Sequence, residues 1–246
     1  MRRFSWQVLL GAALLLLSGL LCLLSYAIFR DAHDIGLYLS IDVAFVPIEV
    51  LLVTLIMSEL LSFREKRSRL QKLNMVIGAF FSEVGVRLLA YLSDLDPELE
   101  HIRGELVIRG DWSHREFRSL TRRLGEYRHT VSSQSGHYEE LRSLLTANRS
   151  FLLRLLENPT LLEQEAFTDL LRAVFHLTEE LTARDSFSGL PAADLAHLRG
   201  DTERVYLLLA REWTAYMQHL RGNYPYLFSL AMRTNPFDRE ASPIIS

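Results

Sequence analysis

The sequence predicts an all-α protein: an N-terminal two-helix transmembrane hairpin followed by a cytoplasmic helical bundle. Three observations carry that prediction. Two long apolar runs, residues 8–29 and 39–61, lie close together near the start of the chain. Basic residues flank the pair at its two outer ends, with Arg2 and Arg3 before it and Arg64, Lys66, Arg67, Arg69 and Lys72 after it. Beyond them, apolar residues recur in steps of three and four, the period of a helix face. The average composition, 49% hydrophobic and 23% charged, looks globular only because it blends these two halves.

Residues 8–29 contain no charge, and at about 1.5 Å per residue they span a hydrocarbon core of roughly 30 Å. The run is longer than the h-region of a cleaved signal peptide, about 7–15 residues, and a similar segment follows it closely. It therefore reads as an uncleaved helix. Gly11, Ser18, Cys22 and Ser25 give it a small-residue face that lets another helix approach. Cys22 is the single cysteine, which rules out an intramolecular disulfide and cysteine-rich metal sites.

Residues 30–38 (RDAHDIGLY) read as a short polar connection, so the two apolar runs form a hairpin with spans at about 8–29 and 39–61. The basic residues at its outer ends place both termini in the cytoplasm by the positive-inside rule. The cluster Arg64, Lys66, Arg67, Arg69 and Lys72 would also meet anionic headgroups, although a topology signal alone explains it.

The second span carries the sharpest candidates. Asp42, Glu49 and Glu59 are acids in an apolar run, and Glu49 sits near its middle. Asp42 and Glu49 are seven apart and share a helix face. An ionisable residue at membrane depth marks a functional hypothesis. A hydrogen bond from Glu49 to Ser18 of the first span is the structural alternative. A ring of Glu49 side chains in an oligomer is the functional one. Pro47 on the same stretch frees a carbonyl and favours a kink.

Residues 64–95 join the basic segment to a long apolar helix. Leu70, Leu73, Ile77, Phe80, Val84, Leu88, Tyr91 and Leu95 form its stripe, and further apolar residues widen it nearly all round. Such a helix must be buried in a core or in lipid. Asn74, Ser82, Glu83 and Arg87 near its middle favour a cytoplasmic core over a third span. Gly78, Ser82 and Gly85 predict that another helix crosses it closely.

The bundle is expected over 96–232. Asp96-Pro97 reads as a helix start, and residues 105–109 as a candidate short strand without a visible partner. Ser113-His114-Arg115-Glu116 is a capping box opening a helix to about 131. Further helices are expected over 137–157, from a second capping box at Thr160 and Glu163 to about 184, and over 192–220. Trp213, Tyr216, Tyr224, Tyr226 and Phe228 read as aromatic packing. Asn235-Pro236-Phe237 reads as a turn opening a C-terminal tail, 233–246.

No phosphate loop, nucleophile elbow or zinc-hydrolase helix motif is present, so no enzyme is expected. Seven of the eight histidines (His101, His114, His129, His137, His176, His197 and His219) are scattered beyond the apolar runs. A di-iron bundle requires repeated Glu-x-x-His helices. Asp194-Ala-Ala-His197 has that spacing and His176-Leu-Thr-Glu179 reverses it, yet neither repeats. Surface histidines are the reading, with no metal and no cofactor expected. A net charge of −3 argues against nucleic acid as a partner. The expected partners are the lipid bilayer and a protein or second copy docking on the bundle.

The run PIEVLLVTLIMSELLSFREKRSRLQKLNMVIGAFFSEVG, residues 47–85, resembles a group of uncharacterised bacterial two-span inner-membrane proteins. The resemblance implies a multi-pass location in the cell inner (plasma) membrane and brings no activity or site residues. The functional expectation is a non-enzymatic scaffold, sensor or docking module anchored in the membrane. The alternative is a subunit of an oligomeric ion channel or transporter using Asp42 and Glu49.

Overall fold

The computed structural model describes residues 13, 16–21, 23, 24, 26, 27, 32–127, 130–132, 134–159, 161 and 164–244. The chain divides into two compact units, Met1–Lys66 and Arg67–Ser246. Among the described residues all regular structure is helical: α1 Ala32–Phe80, a π-helical turn Phe81–Gly85, α2 Val86–Asp94, a 3-10 turn Leu99–His101, α3 Arg103–Leu106, α4 His114–Glu126, α5 Ser135–Ala147, α6 Arg149–Leu156, α7 Glu165–Thr182, α8 Ala192–Asn223 and α9 Pro225–Arg233. The all-α expectation holds at this level.

In the first unit, the described residues between 13 and 27 are helical and exposed. The polar connection expected over 30–38 is replaced from Ala32 onward by α1, which continues through Pro47 and the basic segment. Apart from Gly36, nothing from 32 to 38 opposes helix formation. Residues 28–31, which include the start of the expected connection, lie outside the described residues.

In the second unit, the C-terminal part of α1, the π turn and α2 form one continuous core element. Leu73, Ile77, Phe80, Val84 and Leu88 are buried as the stripe requires, and Phe81, Leu89 and Leu92 are buried beside them. The π turn adds a residue to one helical turn and shifts the phase of the face. Phe80 and Phe81 both point into the core there. Phe80 packs edge-on against Phe167 with centroids 5.3 Å apart. Phe81 meets Trp213 edge-on at 5.3 Å and stacks on Tyr216 at 5.1 Å.

The close crossing expected at Gly78, Ser82 and Gly85 holds at one of the three. A Cβ on Gly78 would stand 3.0 Å from the Tyr216 hydroxyl of α8. Gly85 is crowded by Phe80 and Phe81 of its own chain segment, and Ser82 is exposed.

Local capping follows the sequence in part. Ser113 and Glu116 form the full capping box at the start of α4. Its hydrogen bonds hold the exposed Glu116 carboxyl below its ordinary range. The helix expected over 137–157 is two helices, because Asn148 leaves helical geometry and its side chain donates to Leu144 O at 2.8 Å. Thr160 and Glu163 lie outside the described residues. Of residues 105–109, the expected strand, 105 and 106 belong to the helical turn α3 and 107–109 are irregular, with no strand among the described residues to complete a ladder.

The expected tail is a correction. Asn235 and Phe237 are each only 1% exposed. Asn235 Oδ1 accepts from Phe237 N at 3.0 Å, and its Nδ2 donates to Leu106 O at 3.4 Å. Ser93 Oγ donates to Pro236 O at 3.2 Å, and Arg103 Nη1 donates to Phe237 O at 3.3 Å. Asn-Pro-Phe is a turn, but one that inserts its aromatic ring into the core.

Candidate functional site

Two regions carry residues able to do chemistry or recognition. The first is the apolar part of α1. Phe45–Arg64 is 20 residues long, has a mean hydropathy of 1.9, and buries none of its length. Its hydroxyls bond back to their own helix: Thr54 Oγ1 to Val50 O at 2.6 Å, Ser58 Oγ to Leu55 O at 2.9 Å and Ser62 Oγ to Ser58 O at 2.8 Å. Such bonds satisfy the donors within the segment.

Glu49 is exposed on this helix and, among the described residues, has neither a hydrogen-bond nor an ion-pair partner. No hydrogen bond joins it to Ser18, which is also exposed. Asp42 lies on α1 one heptad earlier, with its side chain outside the described ones. Arg64 is exposed at the end of the apolar stretch; Lys66, Arg67, Arg69 and Lys72 follow it on the same helix, again with side chains outside the described ones. Asp42, Glu49 and the basic cluster share one helix.

Leu73–Asp94 is also long and apolar enough to cross a membrane, with 22 residues and a mean hydropathy of 1.6. Its apolar face, however, lies in the core of the second unit.

The second region is the seam between α7 and α8, which the sequence reading missed. Phe167, Leu170, Leu171, Val174, Leu177 and Leu181 bury one face of α7. Leu198, Val205, Leu209, Trp213 and Met217 do the same for α8. His176 and Glu180 each precede a buried leucine of α7, and His197 precedes buried Leu198 of α8. The rims of the two buried stripes therefore face each other. The loop between the helices turns at Gly189, whose φ of 76° suits glycine. Phe187 pins that loop, 2% exposed, under the Arg142 guanidinium and against the Tyr138 ring.

At this rim His176, Glu180 and His197 offer ligand atoms that all lie within 4.8 Å of one another. Asp201, one helical turn after His197, adds a fourth. Its Oδ2 stands 3.3 Å from His176 Nε2 and 3.4 Å from His197 Nε2. Glu180 carboxylate oxygens stand 3.9 Å from His176 Nε2 and 3.7 Å from His197 Nε2. The imidazoles are half exposed, whereas the Asp201 side chain is 6% exposed.

An arginine organises the outer side. Arg184 donates from Nη1 to Glu180 Oε2 at 2.8 Å, and from Nε and Nη2 to the Asp194 carboxylate at 2.9 and 2.6 Å. These bonds hold the Glu180 and Asp194 carboxyls below their ordinary range. The surface reading of His176 and His197 was right about exposure and wrong about isolation. The signal was present in the sequence: His-x-x-x-Glu on one helix and His-x-x-x-Asp on the next. A four-residue step lies on one helix face as surely as the three-residue step that was sought.

Residues 69–233 match the family described as "Uncharacterized protein MJ1433, C-terminal helical domain", and residues 2–61 match "MJ1433, N-terminal helical domain". The curated "Uncharacterized protein MJ1433" of Methanocaldococcus jannaschii is 43% identical over 236 residues, covering 96% of this chain and 95% of that protein. That relative is archaeal, whereas the sequence resemblance pointed to a bacterial group. No solved structure matches. With both parts of the chain matched and a relative aligned over nearly the whole length, this protein belongs to the MJ1433 family of helical proteins.

Proposed function

We propose that the chain is an integral membrane protein whose helical unit, residues 67–246, works on the cytoplasmic side as a non-enzymatic scaffold, sensor or docking module. The observation that carries this reading is the bare apolar surface of Phe45–Arg64, in which Phe45 to Phe63 present ten and more large apolar side chains to solvent. Soluble proteins rarely expose contiguous apolar patches above a few hundred Å². A bilayer covers such a helix at little cost to its backbone, since main-chain groups bond within a helix and Pro47 removes only one donor. Arg64 and the following basic residues match the cytoplasmic edge of a span.

Fractionation tests the anchor. The full chain should remain in the membrane pellet after alkaline carbonate and leave it only with detergent. Recovery as a monodisperse species in the aqueous fraction would sink the proposal. Protease added to inside-out vesicles should digest the helical unit, while right-side-out cells protect it.

Glu49 supports the alternative of an oligomeric channel or transporter subunit, because a carboxyl at that depth demands a partner and the described residues supply none. Oligomer size in detergent separates the two readings. A monomer without conductance in vesicles removes the channel.

A further inference from the structure

We propose that His176, Glu180, His197 and Asp201 form a binding site for one divalent transition-metal ion, of the zinc class, that ties α7 to α8. This goes beyond the anchored-module reading and does not depend on it. The ligand set is two imidazole nitrogens and two carboxylate groups, a borderline set that suits zinc. A tetrahedral ion with bonds of about 2.0–2.2 Å requires neighbouring ligand atoms about 3.3–3.6 Å apart. Asp201 Oδ2 meets this spacing, 3.3 Å from His176 Nε2 and 3.4 Å from His197 Nε2, while Glu180 stands farther off, with Oε1 3.9 Å from His176 Nε2 and Oε2 3.7 Å from His197 Nε2. Small rotations of the two exposed imidazoles and of Glu180 would close the longer pair.

Simple ion pairing is the competing account, and one oxygen argues against it. Asp201 Oδ2 is buried and accepts no hydrogen bond, although two imidazole nitrogens lie within 3.4 Å of it. Buried carboxylate oxygens are ordinarily satisfied. In a histidine–carboxylate pair, the ring N–H would aim at the oxygen. Here Asp201 Oδ2 has no hydrogen bond while two Nε2 atoms stand 3.3 and 3.4 Å away, spacings that ligands of one ion share. The nearest other cation, Arg204, stands 3.7 Å from the opposite oxygen, Oδ1, and is exposed.

Charge agrees with the geometry. Arg184 is matched by Asp194 through two hydrogen bonds. The seam then sets three carboxylates, of Glu180, Asp194 and Asp201, against Arg184 and the exposed Arg204, an excess of negative charge that favours a cation. Arg184 also fixes the Glu180 carboxylate from outside, the kind of support that orients metal ligands. The ion would bridge two helices separated only by the loop 183–191, so its first effect is to lock that helical hairpin.

The test uses the full chain in detergent, stripped with EDTA and titrated with Zn2+ against a chromophoric chelator. The expected result is one Zn2+ per chain, with a thermal midpoint that rises on adding zinc and falls back with EDTA. His176→Ala combined with His197→Ala should weaken binding by more than about 100-fold, beyond the roughly 10–100-fold that outer partners contribute. Both rings are half exposed, so this variant should keep the wild-type helical content. His101→Ala combined with His114→Ala should bind zinc as the wild type does. Co2+ in the same site should give the intense visible band of a four-coordinate ion. Absence of binding in the wild type, or equal binding in the His176/His197 variant, would overturn the proposal.

Discussion

Arg103 gives the sharpest test of how the second unit is closed. Ser93 lies in the last turn of α2, and its carbonyl would normally accept from the amide four residues on. That residue is Pro97, which has no N–H. Arg103 Nη2 supplies the missing donor, 3.0 Å from Ser93 O, while Nη1 reaches Phe237 O at 3.3 Å. One buried guanidinium therefore satisfies an orphaned helix end and holds the C-terminal segment. Arg103→Ala strips both carbonyls of this donor, at about 1–3 kcal/mol for each buried group left unpaired, so about 2–6 kcal/mol together. The contacts of Arg103 with Asp94 and Glu100 add little, because those carboxylates are 59% and 62% exposed. At roughly 2–4 °C per kcal/mol for a unit of this size, a midpoint loss of about 4–24 °C is expected. Differential scanning fluorimetry of the full chain in detergent reads it, and tryptic cleavage after Arg233 should quicken in parallel. Arg103→Lys keeps the charge but lacks the fork that serves two carbonyls, so it should fall between wild type and alanine. A midpoint within about 2 °C of wild type for Arg103→Ala would refute this reasoning, as would a lysine variant no better than alanine.

Two further predictions rest on the same core. Gly85→Ala places a Cβ 2.6 Å from Phe81 Cδ1 and 2.9 Å from Phe80 Cε1, two rings with almost no exposure and no room to retreat. Overpacking of that kind costs about 1–3 kcal/mol, and a thermal midpoint unchanged from wild type would show that the π turn is softer than its packing implies. Glu212 is 8% exposed, and burial pushes its carboxyl above the ordinary 4.5. A raised carboxyl contributes fully to stability below 4.5, where both states are protonated, and the contribution is lost as pH rises through the folded value. Glu212→Gln should therefore be more stable than wild type at pH 7, with the gap closing as pH falls through the raised folded value toward 4.5; a gap independent of pH would exclude this cause.

Much of the helical layout was legible because it depends on short-range chemistry. The stripe through Leu73, Ile77, Phe80, Val84 and Leu88 and the capping box at Ser113 declare themselves within a few residues. What stayed hidden depends on partners distant in sequence. Asn235-Pro236-Phe237 reads as a tail until Ser93 and Arg103, more than a hundred residues earlier, are seen bonding to it. The break at Asn148 needed only local geometry, yet a continuous apolar stripe on both sides concealed it. The His176–Glu180 and His197–Asp201 pairs were each visible as steps of four. Their meeting was not, because it requires knowing that α7 and α8 pack rim to rim.

The two apolar helices show the same limit from the other side. Phe45–Arg64 and Leu73–Asp94 pass an identical test of length and composition. Hydropathy records what a residue avoids and is silent on what covers it. In Leu73–Asp94 the covering is protein: Phe167, Trp213 and Tyr216 close over Phe80 and Phe81, and polar Asn74, Ser82, Glu83 and Arg87 fall on the less buried side. In Phe45–Arg64 no described side chain of the protein covers any face, and the hydroxyls fold back on their own carbonyls. A helix core-packed on one face must be amphipathic, with its polar residues collected on the other. A helix in lipid must instead be apolar all round, with its few polar groups satisfied internally. The first pattern is that of Leu73–Asp94 and the second that of Phe45–Arg64, with the acids Glu49 and Glu59 fitting neither.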